Sequence, residues 1–374
     1  MIINRRQFLR HKRSIALLFL LIAESSRLSA QNSFKGLEGF FSTPKNYVVQ
    51  HTAQVLKMDG NLDESDWQKA NWTSNFVDIE GGKKPLPTYQ TQVKMLWNDS
   101  TLFIAAKLQE PQLWATQTHH DDIIYKDNDF EVFIDPANNT HQYFEIEVNQ
   151  FNKIFDLFMP KPYRNGGDAL ISWDAEGLES GVKLDGTLNN PKDEDKGWTV
   201  EMAIPLKALR IGFPFHVPKE GTLWRINFSR VEWDTKISNG KNEKLKNAAG
   251  KDLPEHNWVW SPQGVINMHY PERWGYLQFS RKSDAVFTMP LLELQKQYLW
   301  LIYYRQKQYQ QKNGKYAATL AELNLERGVK IGERESLLQM DASAKQFTAT
   351  IMAEGSAAIS INDEGLIETI KPKP

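Results

Sequence analysis

The 374-residue chain contains no cysteine. That excludes disulfides, thiol nucleophiles, cysteine metal sites and lipid attachment at a signal-peptide cysteine, so the fold must be held by core packing. Charge of either sign is scarce as a surplus: the net charge is -1. With no long basic tract to supply a local field, nucleic acid is not an expected partner. Long apolar runs are missing as well, which leaves no membrane span once the N-terminal segment described below is cleaved. No GxSxG, GxGxxG, P-loop or CxxCH occurs, so there is no support for Ser/His/Asp catalysis, nucleotide binding or covalent haem attachment. No internal repeat is visible.

What is present begins with a core-forming composition, 41% hydrophobic and 24% charged, that separates the chain from disordered ones. Twelve tryptophans stand out, because Trp is costly to place without a packing or recognition role. Residues 1–30 read as a signal peptide. Arg5, Arg6, Arg10, Lys12 and Arg13 form a positive region, residues 15–23 an apolar one, and Leu28-Ser29-Ala30 offers a cleavage site near Ala30. Arg5-Arg6 within residues 4–10 also resembles a twin-arginine signal, so general secretion and folded export both stay open. Either route predicts a periplasmic or extracellular protein.

Between residues 46 and 281 the hydrophobic period is two. Phe130, Val132 and Ile134 alternate with Glu131, Phe133 and Asp135. Phe144, Ile146 and Val148 alternate with Glu145, Glu147 and Asn149. Residues 198–204 and 224–228 behave likewise, and Asn98-Asp99-Ser100 marks a hairpin. Many short strands with turn residues between them predict a mainly β fold, an antiparallel β-sandwich. A short helix is expected over 64–70 with Asp63 as its cap and Trp67 facing inward. Residues 238–255 read as a loop insertion. After residue 281 the spacing of Leu291, Leu294, Tyr298 and Leu301 is helical and ends at Asn313-Gly314. Strand candidates at 347–352 and 357–361 complete a second, small α+β unit over 284–374, whose long helix is a candidate surface for an envelope protein partner.

Five stretches then resemble, in order, the family 9 carbohydrate-binding modules. Asp59-Gly60-Asn61-Leu62-Asp63-Glu64 with Trp67 is similar to the family's opening DGxLDExxW. Residues 93–97 with Leu102-Phe103-Ile104 resemble its first hairpin. Residues 127–135 resemble DDxVEVFID, residues 198–205 resemble WxVExAIP, and Trp274-Gly275-Tyr276-Leu277 resembles the closing FGxL. The resemblance implies a secreted, non-catalytic sandwich that binds oligo- or polysaccharide beside glycoside hydrolases. In that family two Trp rings clamp the sugar and carboxylates and amides grip its hydroxyls. Here Tyr125 stands at the first aromatic place, and Trp258, Trp260 or Tyr270 could fill the second. Glu131 matches the gripping carboxylate, Glu147 stands where the family has Arg, and Asn149 matches an amide. Residues 309–323 resemble the helix end and turn of pilin-like proteins.

The residues themselves give a consistent picture. An even register would set Glu131 across from Glu147, and two carboxylates at cross-strand distance repel, so a cation, a basic side chain or solvent must neutralise them. Arg225 and Asn227 from a later strand are expected to reach this face. Carboxylates, amides and aromatic rings are the chemistry that matches sugar hydroxyl edges and C–H faces. The same glutamates could be the acid and nucleophile of a glycoside hydrolase, the rival reading. Asp121, Asp122, Asp127 and Asp129 crowd one loop and are candidate ligands of a structural calcium. His119-His120 and Met268-His269 could ligate haem, a weaker alternative. A purely structural envelope sandwich that has lost sugar binding is the remaining possibility.

Overall fold

The computed structural model describes residues 33–212 and 216–370; the expected export signal lies outside them. The chain divides into one unit of residues 43–288 and another in which residues 33–42 join residues 289–370.

The first unit runs β1 (Asn46–His51), α1 (Ser65–Lys69), β2 (Val77–Asp78), β3 (Thr91–Trp97), β4 (Thr101–Gln109), β5 (Phe130–Asp135), β6 (Tyr143–Val148), β7 (Ile154–Met159), β8 (Glu179–Asp185), β9 (Gly197–Pro205), β10 (Leu223–Glu232), β11 (Thr235–Ser238), β12 (Lys241–Lys244), β13 (His256–Val259) and β14 (Gly275–Ser280). Ten of these form one path, β7-β6-β5-β10-β14-β1-β3-β4-β9-β8, with β13 and β2 attached beside β10. The path curls so that both halves share one core. Val93, Met95, Trp97, Leu102 and Ile104 from one half and Phe130, Val132, Ile134, Ile146 and Phe228 from the other belong to a single buried cluster. This is the two-layer arrangement that alternating strands require to bury one face. One detail departs from an all-antiparallel sandwich: β1 runs parallel to both β14 and β3.

The opening motif is explained by one buried carboxylate. Glu201 on β9 accepts hydrogen bonds from Trp67 Nε1 at 2.7 Å, Gly60 N at 2.8 Å and Asp59 N at 3.2 Å. Gly60 has φ +82°, and a Cβ there would be driven into the backbone of Lys183, so the turn needs glycine. Trp67 is fully buried, as its phase predicted. The cap is different from expectation: Glu64, not Asp63, precedes α1, and its side chain bonds the Lys57 amide instead of the helix. The 238–255 stretch is also more ordered than a plain loop. The hairpin of β11 and β12 runs into its start, and with Ile237 as its one apolar residue it carries no apolar face to read.

In the second unit, α2 (Leu291–Asn313) ends at Gly314 in the left-handed conformation. A five-stranded meander follows: β15 (Gly328–Ile331), β16 (Arg334–Ala342), β17 (Phe347–Ala353), β18 (Ala358–Asn362) and β19 (Ile367–Ile370). Two of these strands were expected; the other three have short or charged sequences. Leu299, Ile302 and Tyr303 pack with Leu338, Ile351 and Ile361, and Leu37 joins them from residues 33–42. Gln306, fully buried, grips the Ala317 amide and carbonyl and so fastens the helix to the turn after it.

Candidate functional site

β5 and β6 pair in the expected register, with Glu131 opposite Glu147 and Phe133 opposite Glu145. The face that carries these residues is not open to water. Every residue of both strands is buried, because Tyr143, Phe155, Leu157, Met268 and Trp274 build a second apolar cluster over it. What remains is a cavity of about 410 Å³, within the range of small-molecule sites.

Glu131, Glu145 and Glu147 form its floor, and Phe133, Phe155 and Leu157 its apolar wall. Asn257, Asn267 and His269 supply further polar groups. Tyr125 and Tyr163 line it with 43% and 45% of their surface exposed, which places two aromatic rings where a ligand would enter. Each ring is held by the local fold. The Tyr125 amide donates to Glu147 Oε2 at 3.0 Å, and its carbonyl accepts from Trp233 Nε1 at 2.9 Å. Beside Tyr163, Arg164 ties its loop to the opposite wall through the His269 carbonyl at 3.2 Å and Glu272 at 2.9 Å. Tyr163 meets His269 edge-on with centroids 4.5 Å apart.

Among the described residues, no lysine or arginine pairs with the floor glutamates; the nearest base is His269, whose Nε2 lies 3.7 Å from Glu145 Oε2. The buried Arg230 serves Glu110 and Glu232 instead, at 2.8 and 2.7 Å. Asp129, fully buried next to the floor, accepts the Val231 amide with Oδ1 while Oδ2 has no partner. Burial is the first cause that raises all four acids; like charge adds to it for Asp129, Glu145 and Glu147. Glu131 is pushed up to about 7, so it carries a proton for part of the time at neutral pH and can donate as well as accept. His269 is pushed down to about 4 by burial and by Arg164, which keeps the imidazole neutral. Its Nδ1 lies 2.9 Å from the Tyr143 hydroxyl.

Of the residues singled out from sequence, the fold brings Tyr125, Glu131 and Glu147 into the cavity, together with Met268 and His269, which the sequence offered as haem ligands. The others have different work. Asn149 is buried and staples loops, donating to the Gln117 carbonyl and accepting the Phe151 and Lys153 amides. Arg225 lies beside Tyr276, bonding its hydroxyl and the Trp274 carbonyl. Asn227 exchanges hydrogen bonds with the Ser261 backbone. Trp258 and Trp260 are core residues, 5% and 2% exposed, and offer no free ring face. Tyr270 stacks on the Arg164 guanidinium at 4.1 Å and does not line the cavity. The four acidic loop residues do not converge either. Asp127 accepts from Thr116 N, Thr116 Oγ1 and Gln117 N, and Asp122 accepts the Thr118 and His119 amides. That set does not fit a calcium ion. Asp129 instead lies with Glu131 and Glu147, all three offering oxygens within 4.8 Å of one another, and Asp121 falls in a separate group. Tyr163, Glu145, Asn257 and Asn267 were missed. They arrive from loops, or from a strand face that reads as solvent-exposed.

A larger groove on β3, β4, β8 and β9, about 1080 Å³, is lined by lysines and glutamines with Trp72. Trp72 is 37% exposed there, with Lys94 Nζ 4.5 Å from its ring centre.

Residues 58–261 match the family model described as carbohydrate family 9 binding domain-like. The chain belongs to that family. Its carbohydrate-binding-module fold is similar to solved structures of 16–17% identity. A Caldicellulosiruptor kristjanssonii family 9 module in complex with cellotriose has a TM-score of 0.42 and covers 66% of this chain and 100% of its own. The same organism's module with glucose gives 0.42, 65% and 100%. A Bacteroides uniformis protein described as carbohydrate-binding gives 0.48, 64% and 100%. No curated protein matches. The family match ends before α2 and says nothing of the pilin-like resemblance. Among the described residues, no helix is long and apolar enough to cross a membrane.

Proposed function

We propose that this family 9-like protein is exported and binds an oligo- or polysaccharide in the β5–β6–β7 cavity without cleaving it, beside glycoside hydrolases that do. The observation that carries this reading is the pair of half-exposed tyrosines, Tyr125 and Tyr163, lining one cavity floored by Glu131, Glu145 and Glu147. A pyranose offers C–H faces to the rings and hydroxyl edges to carboxylates and amides. Tyr163 takes the second aromatic place that the tryptophans, being core, leave unfilled. Export is supported by the basic and apolar stretches of residues 1–30. A hard cation such as calcium, if one serves the site, would have Asp129, Glu131 and Glu147 as ligands rather than the preceding loop.

A glycan array on the purified chain tests this directly, with the intrinsic fluorescence of Tyr125 and Trp233 as a second readout. Binding that Y125A and Y163A each weaken by about tenfold or more, with unchanged melting, is the expected result. A folded protein that responds to no glycan would end the sugar reading. One observation favours hydrolysis, a protonatable Glu131 across from Glu147. Cleavage of a chromogenic glycoside, abolished by E131Q, would replace binding with that activity.

A further inference from the structure

A second group of ligand atoms lies away from the cavity floor, on the other side of β7. Phe155 and Leu157 of this strand face the cavity. Asp156 between them points the other way and is 2% exposed. Its Oδ2 accepts the Ala175 amide at 2.6 Å, while its Oδ1 has no partner. Around it stand Asp174, Asp121 and His120. One ligand atom from each of the four lies within 4.8 Å of all the others.

The histidine makes this more than an acidic loop. His120 Nδ1 is 2.9 Å from the Ile154 carbonyl, an acceptor only, so Nδ1 carries the proton. That leaves Nε2 facing the carboxylates, 2.9 Å from Asp174 Oδ1 and 3.8 Å from Asp121 Oδ1. A ring held by an Nδ1–H bond to a backbone carbonyl, with Nε2 presented to other ligands, is how proteins orient a metal-binding imidazole. The Asp121 amide donates to the same Ile154 carbonyl at 3.0 Å, so both residues of the turn are fixed to the start of β7. An ion pair of protonated His120 with Asp174 would explain those two side chains. It would leave the buried Asp156 Oδ1 without a donor, a costly arrangement. Among the described residues, no lysine or arginine forms an ion pair with any of the three aspartates.

We infer that His120, Asp121, Asp156 and Asp174 form a divalent-metal site that takes zinc in preference to calcium. An imidazole nitrogen with carboxylate oxygens suits a borderline ion such as zinc, whereas calcium gathers oxygens alone. Four protein ligands fill a tetrahedral shell, so the ion's role is to hold structure rather than to activate water. It would pin residues 120–121 and 174 to β7. Tyr125 follows the first of these segments within five residues, and the sugar cavity would gain a fixed rim. The site stands on its own geometry whether or not the cavity binds sugar.

The test is titration of the chelator-treated full-length chain with zinc chloride, and separately with calcium chloride, by calorimetry and thermal melting. One zinc per chain should bind, with a rise in melting temperature. H120Q and D174N, both at exposed side chains that leave the fold intact by circular dichroism, should each weaken zinc by about tenfold or more. E147Q, in the cavity floor, should leave zinc binding as it is. Three results would each overturn the assignment: no zinc uptake, zinc uptake unaffected by H120Q and D174N, or zinc lost on E147Q. Calcium binding that H120Q does not change, with no zinc bound in competition, would do so too.

Discussion

Two buried charge clusters in the sandwich have opposite characters at the level of single residues. Arg230 is buried between Glu110 and Glu232, and its remaining N–H groups reach the Gln109 carbonyl and Thr91 Oγ1. A satisfied buried pair contributes little over an apolar substitute, but half of one is costly. R230A should therefore lose about 3–5 kcal/mol, read as a shift of the urea midpoint. Among the described residues, the cavity floor has no arginine or lysine partner, only the neutral His269 beside Glu145. Glu131 and Glu147 face each other across the ladder with Asp129 beside them, and like charges there oppose folding. E147Q should raise the melting temperature at pH 8, a gain on the order of 1 kcal/mol. A drop in melting temperature would mean that Glu147 is neutralised by a bound cation rather than left against its neighbours. The same residues show why part of the site was legible in the sequence. Glu131 and Glu147 sit on strands whose alternation fixes the face and whose turn fixes the register. Tyr163 and His269 belong to loops, where no period says which way a side chain points.

Among the elements, the clearest case is the opening turn and its partner strand. Asp59-Gly60 and Trp67 on one side and Glu201 on the other are separated by more than a hundred residues in sequence, yet they are one hydrogen-bonded unit. G60A places a Cβ against Lys183 in a backbone region that L side chains avoid. It should cost about 1–3 kcal/mol, and W67F should remove the indole donor while keeping most of the packing. If G60A melts like the parent, the turn is not as tight as this geometry requires. The strands of the sandwich could be read from sequence because each has one apolar and one polar face. β16 could not: Arg334, Glu335, Gln339 and Asp341 occupy most of its outward positions, while Ser336 and Leu338 are its buried residues. The tryptophans misled for a related reason. Trp258 and Trp260 lie among polar and turn-forming residues, which looks like a surface context. But β13 pairs with β10 and carries Trp258 into the core, and Trp260, just past its end, follows by donating its amide to the Phe228 carbonyl of β10.

For the whole molecule these local environments add up to one measurable pH dependence. Glu131 and Glu201 are each pushed up to about 7, with burial the first cause in both. Asp129, Glu145 and Glu147 are shifted in the same direction. In the unfolded chain such groups titrate near pH 4. Between about pH 4.5 and 7 the folded protein therefore holds more protons than the unfolded one, and linkage makes stability fall as pH rises through that window. Each of the two glutamates contributes on the order of 1–3 kcal/mol to the fall. Carboxylates shifted the other way, such as Asp59, which Lys57 holds down to about 2, complete their titration below this range. His269, held down to about 4, works against the fall up to about pH 6.5 and offsets part of it without reversing it, being one group against several acids. Thermal melts from pH 4.5 to 8 should show the highest melting temperature near pH 5 and a steady decline above it. The double variant E131Q/E201Q should flatten the curve, since an amide keeps the shape of the protonated acid without its titration. A melting temperature that climbs from pH 5 to 8 would show that these carboxyls ionise at ordinary values, and that the cavity floor is solvated rather than enclosed.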